Sequence, residues 1–135
     1  MSLLPLSLVH HNCKMENYYI FLDDLRNVSD VFKPNKTYSI DVDKFILCRT
    51  VEEAVSLIEE KDKLPSFISF DNDLGVDENG NLLKDGLDFA KWIKESLLDG
   101  DYTIPEDFRF NVHSANPVAS IEIKSLMDNI IKFLN

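Results

Sequence analysis

The chain lacks most of the features that would announce a function at once. It has two cysteines, four glycines and a single tryptophan in 135 residues. Cys13 and Cys48 lie far apart and form no C-x-x-C pair, so a reducing, cytoplasmic setting is the simpler expectation. Walker-type phosphate loops, G-x-G-x-x-G, G-x-S-x-G and H-E-x-x-H are all missing. Basic residues are scarce: 14 Lys and Arg stand against 24 Asp and Glu, for a formal net charge of −10. That balance argues against non-specific binding to a nucleic-acid backbone or an anionic membrane surface. It leaves room for a small phosphate, provided a metal ion or a local arginine supplies positive charge. No apolar run is long enough to span a bilayer. The first residues, with Leu3-Leu4-Pro5-Leu6, have neither a positively charged leader nor a clear small-residue cleavage site. Residues 1–14 therefore read as a loose extension, and 15–135 as one domain with one core.

What the chain does have is a repeated grammar, in which a short apolar run is closed by a polar cluster. Phe67-Ile68-Ser69-Phe70 runs into Asp71-Asn72-Asp73-Leu74-Gly75. Tyr18-Tyr19-Ile20-Phe21-Leu22 runs into Asp23-Asp24-Leu25-Arg26. Phe108-Arg109-Phe110-Asn111-Val112 runs into His113-Ser114-Ala115-Asn116-Pro117. Such runs, bounded by turn residues, read as buried strands. In an open α/β sheet, ligands bind just beyond the carboxyl ends of the strands, so the three clusters point to one shared site.

Between these runs lie the helices. Phe45-Ile46-Leu47-Cys48 reads as a further strand ending at Arg49. Thr50 and Glu53 then form a capping-box pattern, and Val51, Ala54, Val55 and Ile58 fall at helical spacing. Gly86 opens a second helix, with Leu87, Ala90, Ile93 and Leu97 on one face and Phe89 and Trp92 widening the stripe into the core. A last helix uses Ile123, Leu126, Met127, Ile130, Ile131 and Leu134. Residues 27–42, with Pro34, show no period and read as a long loop with a short helical turn. The sequons at Asn27 and Asn35 carry little weight without a secretory signal. Asn79-Gly80 marks a tight turn in an acidic loop whose spacing does not match an EF-hand. The alternation predicts a three-layer α/β fold: a parallel sheet of four to five strands, the fifth within the long loop, with helices on both faces.

The chemistry sits in the clusters. Asp23, Asp24, Asp71 and Asp73 come from two strand ends and converge if those strands are neighbours. Carboxylates at close range repel, and a hard divalent cation relieves the repulsion, so Mg²⁺ or Mn²⁺ is the expected cofactor. His113 is the candidate acid/base, since histidine titrates near neutral pH. Ser114 and Asn116 can donate to a phosphate, and Pro117 suits the first turn of a helix whose amino end favours anions. Asn72 can orient a ligand but carries no proton to exchange. Arg49, at a strand-to-helix junction, either binds an anion or pairs with a surface acid.

Taken in order, Phe21-Leu22-Asp23-Asp24-Leu25-Arg26, Arg49-Thr50-Val51-Glu52-Glu53-Ala54, Ser69-Phe70-Asp71-Asn72-Asp73-Leu74-Gly75 and His113-Ser114-Ala115-Asn116-Pro117 resemble the cyclic-phosphate processing receiver-like family of bacteria and phages. The likeness covers nearly everything from Tyr18 onward. It implies a receiver-like, flavodoxin-type sheet and a small phosphate-containing ligand, nucleotide-derived or an RNA end. It further implies a metal on Asp23, Asp24, Asp71 and Asp73, phosphate on Arg26 and Arg49, acid/base work by His113, and Ser114 and Asn116 completing the pocket; His113 and Asp71 are the expected catalytic residues. One departure stands out: the family usually has histidine where this chain has Asn72. The expected activity is a metal-assisted opening of a cyclic phosphodiester. The competing expectation is a binding or regulatory module that kept the pocket without the turnover. A phosphorelay receiver with Asp71 as acceptor is disfavoured, because no fifth strand followed by lysine comes after His113-Ser114-Ala115-Asn116-Pro117.

Overall fold

The computed structural model describes residues 17–33 and 40–134. The N-terminal extension with Cys13, the proposed domain start at Met15, Pro34 and the Asn35 sequon lie outside these residues. Four strands form the sheet: β1 (Tyr19–Leu22), β2 (Phe45–Cys48), β3 (Phe67–Phe70) and β4 (Arg109–Val112). All neighbours are parallel and the order is β2-β1-β3-β4. Among the described residues there is no fifth strand; the long loop contributes α1 (Val28–Val31) and a 3₁₀ turn (Val42–Lys44) instead. The three longer helices are α2 (Val51–Lys61), α3 (Gly86–Leu98) and α4 (Pro117–Leu134). None of the helices is long and apolar enough to cross a membrane.

Strand periodicity divides the core in two. Ile20, Leu22, Ile68 and Phe70 point to one face and pack with Ala54, Ile58, Phe89, Ile93, Ile123 and Met127 from α2, α3 and α4. Tyr19, Phe21 and Phe67 point to the other and pack with Phe32, Val28, Val31 and Phe45. The uneven covering follows from handedness. Right-handed crossovers send a connection to one face when the chain steps one way along the sheet and to the opposite face when it steps back. The step from β1 to β2 uses α1 and the 3₁₀ turn on one side. The steps from β2 to β3 and from β3 to β4 run the other way, and so place α2 and α3 on the other side. Helices thus lie on both faces, but three long ones on one and a four-residue helix on the other. The order is that of a receiver-like, flavodoxin-type sheet, with its topological switch point between β1 and β3.

Local chemistry fixes the helix ends. Thr50 accepts from Glu53 N at 3.1 Å and caps α2. The Glu53 carboxylate reaches past the cap to the amide of Arg49, at 2.9 Å. Asp85 and Asp88 form a reciprocal capping box at the start of α3. In the acidic loop, Val76 and Leu82 form an antiparallel bridge around the Asn79-Gly80 turn, as the sequence predicts.

Candidate functional site

The parallel register aligns the ends of three strands. Leu22, Phe70 and Val112 are cross-strand partners in one row. The next residue of each strand keeps a ladder hydrogen bond: Asp23 N to Cys48 O, Asp71 N to Leu22 O and His113 N to Phe70 O, at 3.1, 2.9 and 2.8 Å. Asp23, Asp71 and His113 therefore form the next row, on the same face as Phe21, Ser69 and Asn111, since side chains alternate with period two.

Asp23 is the centre of the network and is only 1 % exposed. Its Oδ1 accepts from the amides of Leu25 and Arg26, both at 2.8 Å. Its Oδ2 accepts from Arg26 Nε at 2.8 Å and faces His113 Nε2 at 3.0 Å. Because a carboxylate only accepts, Nε2 carries the proton, and His113 Nδ1 accepts from the Ser69 hydroxyl at 2.7 Å. Asn111 Nδ2 donates to the same hydroxyl at 3.4 Å. The imidazole lies flat on Phe21, with centroids 4.6 Å apart and planes 6° from parallel. Burial pushes the Asp23 pKa upward. The amide hydrogen bonds, His113 and the Arg26 charge overcome it and hold the carboxyl below its ordinary value. Burial lowers the His113 pKa against the pull of Asp23, so the ring is held neutral. The His113 side chain is 4 % exposed and both ring nitrogens are engaged. The structure thus buries His113 behind Asp23 rather than exposing it beside the acids.

Asp71 shifts the other way. Burial, together with the charges of Asp23 and Asp24, raises it to about 6, against the Asn72 amide and the Arg26 charge. Arg26 Nη2 stands 3.5 Å from Asp71 Oδ1, so one guanidinium spans Asp23 and Asp71. Asp23, Asp24 and Asp71 each offer an oxygen, all within 4.8 Å of one another, and are the cation-type cluster among the described residues. Asp73 does not join them. It is exposed, and its Oδ1 accepts from Asn72 Nδ2 at 3.1 Å. Of the four acids expected to share a metal, three converge. Their all-oxygen chemistry suits a hard cation. However, the four acceptor positions of Asp23 are already taken, one of them by Arg26 Nε, so the set fits a cation only once that guanidinium moves away.

The remaining predicted residues are placed as follows. Asn72 is buried; its Oδ1 accepts from Leu87 N at 3.1 Å and its carbonyl from Gly86 N at 2.9 Å, which clasps β3 to the start of α3. Gly86 has to be glycine, because a Cβ there would sit 2.0 Å from the Asp71 carbonyl oxygen. Gly75 has φ +91°, and a Cβ there would lie 3.3 Å from Asp24 Oδ2. Arg49 reaches neither an acid nor the pocket acids: Nη1 donates to the carbonyls of Arg26 and Asp23, at 2.8 and 3.3 Å, and Nη2 to Asn27 Oδ1 at 2.9 Å. It sutures the loop after β1. Asn116 Oδ1 accepts from Ala119 N at 3.1 Å and so caps α4, while Ser114 Oγ accepts from Asn116 N at 3.0 Å.

Ser69 and Asn111 were not singled out from the sequence, yet they hold His113. The signal was there: each is a polar residue inside a buried apolar strand, in phase with the residue that closes it, and a buried polar group needs a partner.

A family model for the cyclic-phosphate processing Receiver domain matches residues 18–129. Comparison with curated proteins and with solved structures finds no match. The matched span contains every strand among the described residues, the whole polar row and all three converging acids, so this chain belongs to the cyclic-phosphate processing Receiver domain family.

Proposed function

We propose that this protein is a metal-assisted phosphoesterase that opens cyclic phosphates, either nucleotide-derived or at RNA ends. The observation that carries the reading is the convergence of Asp23, Asp24 and Asp71 at the switch point of the sheet, with Arg26 beside them. Mg²⁺ or Mn²⁺ held by these carboxylates would polarise a phosphoryl oxygen and make bound water a nucleophile near neutral pH. The chain's own groups do the rest. Arg26 supplies a guanidinium for the phosphate oxygens. The Ser114 hydroxyl and the Asn116 amide, next to the amino end of α4, offer further donors. His113 keeps Asp23 ionised and oriented through Nε2, with its tautomer set by that carboxylate and its Nδ1 satisfied by Ser69. Asp71, raised to about 6 in the cation-free cluster, would give up its proton on taking a cation and serve as a ligand beside Asp23 and Asp24.

A second reading has one observation in its favour. Asn72 cannot titrate, and its side chain is engaged with Leu87 and Asp73. A pocket with no titratable group at this position fits a module that binds a cyclic phosphate and reports it without turnover.

The test is a ³¹P NMR time course on nucleoside 2′,3′-cyclic phosphates and ADP-ribose cyclic phosphate, with Mg²⁺ and with a chelator. Ring opening that requires Mg²⁺ supports the enzyme reading. Saturable binding without turnover, in wild type and in Asn72→His alike, moves the assignment to the binding module.

A further inference from the structure

We infer that Arg26 is an internal counter-ion that closes the acid pocket, and that a divalent cation gains Asp23 only by displacing the Arg26 guanidinium toward the phosphate. The inference rests on the metal-assisted reading above and adds a coupling to it. Arg26 Nε holds Asp23 Oδ2 at 2.8 Å, and Nη2 lies 3.5 Å from Asp71 Oδ1. Asp23 Oδ1 is engaged by two backbone amides and Oδ2 also by His113, so the Nε contact is the one a cation can replace without breaking the backbone turn or the buried histidine. A divalent ion among three oxygens that lie within 4.8 Å of one another would stand beside the guanidinium on Asp23 and Asp71, and the two cations repel.

The local construction allows the exchange. The Arg26 backbone is fixed at both ends: its amide donates to Asp23 Oδ1 and its carbonyl accepts from Arg49 Nη1 at 2.8 Å. The side chain is 40 % exposed and can swing from this anchor without unfolding the loop. Arg49, placed by the sequence as a phosphate ligand, acts here as the clamp on the hinge. Arg26 thus has two mutually exclusive partners, the acids or a phosphate, and a cation on the acids frees it for the phosphate. By linkage, cation binding and phosphate binding then strengthen one another.

Two measurements test this on the whole 135-residue chain. Free Mn²⁺ is followed by electron paramagnetic resonance in titrations of wild type and Arg26→Gln, which keeps the backbone amide but loses the charge. The Arg26 Nε–H signal of the wild type is followed by ¹⁵N NMR as Mg²⁺ is added. Arg26→Gln is expected to bind Mn²⁺ about 5–150-fold more tightly, the usual range for coupled sites, and the Nε–H signal to leave its hydrogen-bonded position. Equal or weaker Mn²⁺ binding by the variant, with the Nε–H signal unmoved at saturating Mg²⁺, overturns the displacement and leaves the metal reading standing. No Mn²⁺ binding by either protein overturns both. The wild-type NMR titration decides the matter even where the variant folds poorly.

Discussion

Asp23 and Asp71 are neighbours in one row, yet their surroundings push them in opposite directions. Asp71 is raised to about 6 by burial and by the charges of Asp23 and Asp24. Its native state therefore binds the proton more tightly than the unfolded chain does. The stability this contributes is full below the unfolded value, about 3.9, and is lost as pH rises through about 6. Asp71→Asn is expected to stabilise the cation-free protein by about 1–3 kcal/mol near neutral pH and by little below about pH 4, read from urea midpoints. Asp23 is held below its ordinary value, so its contribution is present above about 3.9 and lost as pH falls through the native value. Asp23→Asn leaves two or more donors without an acceptor and is expected to cost about 2–3 kcal/mol near neutral pH in the same assay. Equal signs for the two substitutions would contradict the electrostatics of the row. Ser69→Ala strands the buried His113 Nδ1 and takes an acceptor from the half-buried Asn111 amide, with an expected cost of about 1–3 kcal/mol. The carboxylates and the histidine were legible in the sequence because they close apolar runs. The burial of His113 was not, because its partners Asp23, 90 residues away, and Ser69, 44 away, are brought to it only by the strand order.

At the level of elements, β3 and α3 are joined by a clasp that the sequence shows only as an asparagine and a glycine. The Gly86 amide and the Leu87 amide both bond to Asn72, and Gly86 lies against the Asp71 carbonyl. Gly86→Ala forces backbone against backbone and should destabilise by about 1–3 kcal/mol or more, while moving Asp71 out of its row; differential scanning calorimetry reads the first and Mn²⁺ affinity the second. Asn116→Ala removes the cap of α4, with an expected cost of about 1 kcal/mol. Strand and helix positions were readable because the chain's periods are clean: buried runs at β1 and β3, helical stripes over α2, α3 and α4. The start of α4 at Pro117, ahead of the apolar stripe that begins at Ile123, was legible in the proline itself, whereas the Asn116 cap was not. The loop after β1 was legible as a loop, but its suture by Arg49 was not, since all its partners are backbone carbonyls and one amide oxygen.

For the molecule as a whole, a formal charge of −10 and a carboxylate cluster at the switch point make sense together only with a positive partner at the pocket. In the structure that partner is Arg26; in the proposed reaction it is a cation, with Arg26 turned to the phosphate. In the proposed reaction Asp71 trades stability for function, because the charge a cation would bind also destabilises the fold. The measurement that reaches this most directly is Mg²⁺-dependent opening of a nucleoside 2′,3′-cyclic phosphate, followed by ³¹P NMR in wild type, Asp71→Asn and Asp73→Asn. The expected result is turnover in wild type, a loss of about 100-fold or more in Asp71→Asn despite its greater stability, and only a small change in Asp73→Asn, whose carboxylate stands outside the cluster. Wild-type turnover with Asp71→Asn matching it, or with Asp73→Asn as the inactive variant, would contradict the placing of the chemistry on Asp23, Asp24 and Asp71.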